Sequence, residues 1–411
     1  MFLFSAPKAT VPGAEDDMAR YIQTTNAHRG IDRRLRATLL LLVVAVLLIP
    51  VTLLAPHDVF GFGASTSAAN IVSGTGGRVQ AIGEMFSGSA AGRAMEIYFW
   101  QALAVALAGA ALALSGAVFQ GALKNALAAP STLGVTAGGT LGTVIYTLLF
   151  MLPATETGVT IMKASEMAAY FENLDPLEYI ITTQQRAFCS LVGCLIVVAL
   201  VLIVAYVAGR GRVSKVGLII SGQVFAAIIA GVVEMVRFYI RDHGTEAQLS
   251  AMRNIVGGSF SSITGPMDVA IIVVPVVLGI AIIMLLRTRL NLLAFDEEEA
   301  RSMGLSTNRT RNAVVIVCTV LTAVIISFCG AVGFVGFLVP HLARKIVGPD
   351  FRYYIPASIC LGAAYLLIAN AIMQMFTLFA GSIGTFTSII GVIAFAYLAI
   401  KNRAKGNVDW V

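Results

Sequence analysis

The feature that most constrains this chain is a succession of apolar runs, each near the ~20 residues a helix needs to cross a bilayer core. The first is Ala37–Ala55, preceded by the basic stretch Asp32-Arg33-Arg34-Leu35-Arg36. Further runs fall at Ile97–Phe119, Leu133–Leu152, Ala187–Ala208, Val216–Met235, Met267–Leu286 and Asn312–Cys329. A shorter one at Val332–Ile346 is followed by Ile355–Met373 and Ile383–Ile400. Ten such runs predict an all-α integral membrane protein, because backbone groups in lipid must be satisfied within the segment itself.

Composition supports lipid as the main solvent. Of 411 residues 58% are hydrophobic and 12% charged, about half the charged share of a soluble domain. No polar linker separates independent cores, so the runs form one membrane domain, 37–402, between an N-terminal tail at 1–36 and a C-terminal tail at 403–411. The first run is too far from Met1, and too poor in a small-residue cleavage site, for a signal peptide. The formal charge of +6 comes from bases scattered between apolar spans, which argues for membrane orientation and against nucleic acid. Ten spans put both termini on one side. They leave seven of the 28 Lys/Arg opposite, namely Arg78, Arg93, Lys163, Arg186, Arg237, Arg241 and Arg253. The other 21 lie on the terminal side, which the positive-inside rule makes cytoplasmic. Removing one middle span would invert everything after it and destroy this asymmetry.

Little in the chain suggests chemistry of its own. It has no Gly-x-x-x-x-Gly-Lys-Ser/Thr phosphate loop and no His-Glu-x-x-His. Its histidines (His28, His57, His243, His341) share no ligand spacing, and Cys189, Cys194, Cys318, Cys329 and Cys360 all lie in apolar segments as packing residues. No metal site or cofactor is expected in this chain. Glu234 and Arg237, one turn apart, read as an interfacial ion pair. The spans are otherwise nearly free of ionisable groups, whereas ion-coupled pumps retain them in mid-membrane. Gly134, Gly138 and Gly142, and Gly109, Ala113 and Gly116, form small-residue stripes that allow close helix packing.

Two segments on the terminal side stand out. Leu292-Leu293-Ala294-Phe295-Asp296-Glu297-Glu298-Glu299-Ala300-Arg301-Ser302-Met303-Gly304 predicts a short acidic helix on a basic side. Asn291 is a candidate cap, Gly304 a candidate stop, and Leu292, Phe295 and Met303 a candidate apolar face. It is either a solvated loop helix or a docking surface for a soluble partner. In Gly333-Phe334-Val335-Gly336-Phe337-Leu338-Val339-Pro340-His341-Leu342-Ala343-Arg344, glycines permit tight packing and Pro340 interrupts the backbone ladder, so a short or kinked helix is expected. His341 reads as a packing or hydrogen-bonding group.

From about residue 97 onward these residues resemble the FecCD-type permeases of bacterial ABC importers, which carry iron–siderophore chelates, haem or vitamin B12. Gly109–Gly116 through Gln120, then Asn125-Ala126-Leu127-Ala128-Ala129-Pro130, are similar to the family's second-helix motif and following loop. Leu133–Gly138 resembles the start of the third helix, and Gly258-Ser259-Phe260 the segment before the sixth. The most specific likeness is Phe-Val-Gly-x-x-x-Pro-His-x-x-Arg, carried by Gly333, Gly336, Pro340, His341 and Arg344 and followed by Gly348-Pro349-Asp350.

The resemblance implies a type II ABC importer permease fold with coupling elements at about 290–306. It further implies a second permease subunit, identical or paralogous, two cytosolic ATPases that bind ATP and Mg, and an extracytoplasmic solute-binding protein. ATPase-coupling contacts would fall on Glu298, Glu299, Ala300, Arg301 and Gly304. The expected cargo is an iron chelate, ferric siderophore or haem, across the cytoplasmic membrane. Vitamin B12, an ATPase-independent secondary transporter, and a non-transporting scaffold are the alternatives. The sequence also departs from the family pattern. Ile97-Tyr98-Phe99-Trp100 stands where an Arg-x-Pro-Arg motif is usual, Asn370 and Gln374 replace an Asp and Arg, and Ala126, Ser382 and Ile393 replace prolines. Arg78, Arg93 and Arg241, with Arg237 and Arg253, are the remaining candidates for docking a binding protein on the outer side.

Overall fold

The computed structural model describes residues 14–54, 82–83, 85, 90–151, 176–209, 215–243, 256–375 and 382–404. Among them are eleven α-helices: α1 (Ala14–Leu54), α2 (Ala90–Leu123), α3 (Val135–Tyr146), α4 (Pro176–Ala208), α5 (Lys215–His243), α6 (Pro266–Leu293), α7 (Glu297–Ser302), α8 (Thr307–Cys329), α9 (Val335–Val347), α10 (Phe351–Met375) and α11 (Ile383–Ala404). Pro130–Leu133 forms a 3-10 turn before α3, and a π-helical turn, Thr147–Met151, extends it. Seven helices are long and apolar enough to cross a membrane, and Val135–Leu149 and Ile383–Tyr397 are shorter apolar helices. With the 13-residue α9 these make the ten expected spans, and α7 is the extra element between the sixth and seventh. The N-terminal segment read as a tail is helical from Ala14 and runs unbroken into the first span.

The helices divide into an interior and a shell. The apolar windows of α2, α8 and α10 are 83%, 72% and 61% buried, while that of α1 is 11% buried. Small residues make the interior close enough to bury helices that are apolar all round. A Cβ on Gly109 of α2 would lie 2.2 Å from the Gly362 carbonyl oxygen of α10, and one on Gly362 would lie 2.5 Å from Cβ of Ala113. On α3, Cβ atoms on Gly138 and Gly142 would strike the α4 carbonyls of Gly193 and Cys189. Gly134 is the exception to its stripe. With φ at +74° it links the 3-10 turn to α3, a left-handed conformation in which a Cβ is strained.

The loops gather at two ends of the bundle, in the groups that charge had assigned to opposite sides. At one end Lys124 reaches Phe295, Asn291 reaches Asp350, and Gly348 lies against Arg34. At the other end the Ser259 N–H donates to the Cys329 carbonyl and the Ile383 N–H to the Gly258 carbonyl. Gln101 there donates to the Ile263 carbonyl at 3.2 Å. An extra or missing span would have brought members of the two groups together.

Candidate functional site

The acidic helix α7 is a short strut held at both ends. Gly304, φ +82°, ends it in a Schellman arrangement: its N–H donates to the Arg301 carbonyl at 2.9 Å, and the Leu305 N–H to the Ala300 carbonyl at 3.0 Å. Leu305 and Ala300 are both buried beneath the turn. Asn291, expected to cap α7, does not. It lies inside α6, which buried Leu290 and Leu293 hold in register to its last turn, and Asp296 occupies the N-cap position. The Asn291 amide serves another helix, donating to Asp350 Oδ1 at 2.9 Å and accepting from the Phe351 N–H at 3.0 Å. It thus ties the end of α6 to the start of α10. Burial alone would raise the Asp350 carboxyl, but hydrogen bonds from the Arg352 N–H and Asn291, with the charges of Arg352 and Arg34, bring it below its ordinary value.

Three contacts fix α7 to the bundle, two from Lys124 and one from Arg311, and a fourth braces the helix internally. Lys124 Nζ donates to the Phe295 carbonyl at 2.6 Å and lies 3.7 Å from Asp296 Oδ1. Arg311 Nη2 of α8 donates to Glu297 Oε1, and Arg301 Nη2 lies 3.7 Å from Glu297 Oε2. What remains outward is Glu298, Glu299, Arg301 and Met303, with Phe295 beside them. Of the five residues carried over for coupling, four are exposed, and Ala300 is wholly buried as the anchor under them. The predicted apolar face splits, because Leu292 packs into the core while Phe295 and Met303 project.

The Gly333–Arg344 segment docks α9 on α2. Pro340 lacks an N–H, so the carbonyl four residues earlier, that of Gly336, has no helical donor. That oxygen lies where a Cβ on Gly116 would be, at 1.8 Å; only glycine at 116 admits this approach. One turn along, Gln120 Nε2 donates to the Phe337 carbonyl at 3.2 Å, and the buried Tyr354 hydroxyl donates to Gln120 Oε1 at 3.5 Å. The Arg344 guanidinium stacks over the Tyr354 ring, 5.4 Å from its centroid. Gly116, Gln120, Gly336 and Arg344 therefore join α2, α9 and α10. Asn125 shapes the turn after α2, accepting from the Leu127 N–H at 2.9 Å, and the buried Pro130 opens the 3-10 turn. Gly333 abuts Ser388 of α11. His341 is half-buried, and its Nε2 is buried without a hydrogen-bond partner.

Beside this junction lies a cavity of about 300 Å³. Its walls combine Ser131, Thr132, Thr136 and Thr322 with Phe334, Phe337 and Phe395. Phe334 holds a left-handed backbone, φ +60°, and its ring sits against Gly391 of α11, where a Cβ would meet it at 2.2 Å. A non-glycine residue in that conformation is uncommon and held by its surroundings. Phe337 stacks near Phe395 at 5.6 Å. The wall carries hydroxyls and rings and no charge.

At the opposite end, Arg93 is exposed, and Arg241 lies 3.4 Å from Asp242 and over the Phe238 ring at 4.7 Å. Arg237 and Glu234 form the expected pair at 3.6 Å. Arg78 and Arg253 lie outside the described residues, as does the side chain of Gln374, while Asn370 is buried. Lys124 and Arg311 were not singled out from the sequence, and Asp296 and Glu297 only as part of the acidic run. Only the four-residue spacing of Glu297 and Arg301 was a usable signal, since Lys124 and Arg311 reach α7 through the tertiary fold.

Comparison with known proteins agrees with these features. Residues 37–401 match the FecCD transport family. The cobalamin import system permease protein of Halobacterium salinarum is 31% identical over 71% of this chain and 69% of its own length. The Fe(3+)-citrate import system permease protein of Bacillus subtilis is 27% identical over 72% of this chain and 77% of its own. The molybdate import system permease protein of Haemophilus influenzae is 28% identical over 72% and 78%. A solved chain described as a metal-chelate type ABC transporter in an inward-facing conformation shares the fold, with a TM-score of 0.65 at 23% identity, covering 90% of this chain and 99% of that one. A match over nearly the whole membrane domain, on a bundle whose ten spans and intervening strut are in place, means that this chain belongs to the FecCD transport family.

Proposed function

We propose that this chain is the membrane-spanning permease of an ABC importer that carries an iron chelate, a ferric siderophore or haem, across the cytoplasmic membrane. In this reading its termini and α7 face the cytoplasm. The observation that carries it is α7 itself: a strut pinned to α2 and α8 by Lys124 and Arg311, with Glu298, Glu299, Arg301, Phe295 and Met303 turned outward. A short helix fixed at both ends transmits a push from a docked ATPase to the spans without dissipating it in loop motion. Two ATPases, holding ATP and Mg, would drive a pair of permeases, and a solute-binding protein would deliver cargo at the opposite end. The uncharged cavity of hydroxyls and aromatic rings suits the organic shell of a chelate better than a bare ion.

An ion-coupled transporter fits less well. Among the described residues the buried charged side chains are Asp268 and Arg311, and both are near helix ends: Asp268 accepts from the Thr264 N–H at the start of α6, and Arg311 pairs with Glu297. Cobalamin is the second cargo reading, favoured by the likeness to the Halobacterium permease. The test is purification with native partners and mass spectrometry of the bound ligand. An ATPase and an iron chelate are expected, and combined charge reversal at Glu298, Glu299 and Arg301 should release the ATPase. ATPase retention and undiminished uptake in that variant would refute the coupling role, and a bound bare ion would refute the cargo.

A further inference from the structure

A second cavity, of about 310 Å³, lies between α4, α5 and α8 at the α7 end of the bundle. Its chemistry is graded with depth. Tyr206 lies near the end of α4, and Arg311 and Asn312 lie in the second turn of α8, about 6 Å along its axis from Thr307. Deeper along the helices the lining is wholly apolar, with Leu202, Ile203, Val315 and Ile316. Ile203, Tyr206 and Ile316 are each more than half exposed, so the groove opens sideways on the surface a bilayer would cover.

The polar end holds a buried cation with a donor to spare. Arg311 is 8% exposed, and its Nε is buried with no hydrogen-bond partner. Its carboxylate partner, Glu297, is shared with Arg301, so two guanidiniums draw on one carboxylate. The sequence adds Arg210, Arg212 and Lys215 in and beside the connection between α4 and α5. A buried guanidinium with an unused donor at headgroup depth above an apolar slot has the pattern of a site for a phospholipid with an anionic head.

We infer that this groove binds an anionic phospholipid, its phosphate at Arg311 and Asn312 and an acyl chain along Leu202, Ile203 and Ile316. The site does not depend on the cargo or on the ATPase reading. Because Arg311 also holds Glu297, a bound headgroup would share the guanidinium that anchors α7, and lipid composition would bear on how firmly the strut is held.

The test is native mass spectrometry of the full chain released from detergent, titrated with phosphatidylglycerol, phosphatidylcholine or inorganic phosphate. Phosphatidylglycerol should be retained about fivefold better than phosphatidylcholine, the preference one basic side chain gives at a membrane surface. Arg311→Gln should abolish the preference. Ile203→Trp, which fills the slot and leaves the Arg311–Glu297 pair intact, should lower retention of both lipids and decides the matter if Arg311→Gln fails to fold. Equal retention of the two lipids, unchanged retention in Ile203→Trp, or displacement of phosphatidylglycerol by millimolar inorganic phosphate would overturn the assignment. So would disulfide cross-linking of two copies through Ile203→Cys, which would place a second chain over the groove.

Discussion

Substituting Gly116 by alanine tests the central packing argument most directly. The added Cβ would lie 1.8 Å from the Gly336 oxygen, 2.5 Å from its carbonyl carbon and 2.6 Å from its Cα. Every colliding atom is backbone, so no rotamer change relieves the clash. Real Cβ contacts stay beyond 3.0 Å, so α2 and α9 must part by at least 1.2 Å, the difference between that floor and 1.8 Å. Overpacking costs about 1–3 kcal/mol in well-packed sites, and a wholly backbone clash belongs at the upper end. The same separation lengthens the Gln120–Phe337 hydrogen bond, now 3.2 Å, which adds about 1 kcal/mol. A total of about 3–4 kcal/mol is expected. The assay is reversible unfolding of the purified chain in mixed micelles, with Gly231→Ala as control, because nothing lies within 4 Å of a Cβ there and the change should be neutral or stabilise by up to about 1 kcal/mol. Uptake should fall with Gly116→Ala, since α9 and its N-cap carry Phe337 and Phe334 in the cavity wall. If the two variants unfold within 1 kcal/mol of each other, the close approach of α2 and α9 is not what holds this bundle together.

Four further outcomes follow from the same geometry. Glu297→Gln leaves the buried Arg311 without a carboxylate; a loss of about 1–2 kcal/mol, discounted for the exposure of Glu297, should appear in unfolding, together with faster proteolysis around α7. Gly304→Ala meets no steric obstacle but must hold φ +82°, costing about 1–2 kcal/mol and weakening ATPase retention without altering lipid retention. Asn291→Ala removes both the donor to Asp350 and the acceptor for the Phe351 N–H, so hydrogen exchange at the start of α10 should accelerate while α7 is unaffected. The Asp350 carboxyl is lower in the folded chain than its ordinary 3.8. Its contribution is therefore full above that value and lost as pH falls through the folded value, so wild-type stability should decline below about pH 4 more steeply than that of Asp350→Asn.

Much of the architecture was legible because each level of the sequence pointed the same way. Run lengths near a bilayer's thickness marked ten spans, and alternation of basic and poorly basic connections sorted their ends. The structure brings Lys124, Asn291 and Asp350 together at one end and Gly258, Cys329 and Ile383 at the other, as that sorting requires. Spacing also made Gly304 readable as the stop of α7, since a left-handed residue after a short helical pattern favours glycine. Asn291 misled because capping preference is local, while Asn291 is held by Asp350, 59 positions away.

What the sequence by itself determined is the class of molecule: an all-helical membrane domain, its span count, the grouping of its loops and the presence of an acidic strut. These depend on properties of contiguous segments, namely length, hydropathy and charge, which survive without knowledge of neighbours. What only the tertiary structure decided is which side chains work together. The union of Lys124, Glu297 and Arg311 around α7, the seating of the Gly336 carbonyl on Gly116, and the two cavities all arise where distant helices cross. No segment contains that information, because a contact between helices is set by how their surfaces interlock, and a single substitution on either surface can abolish it.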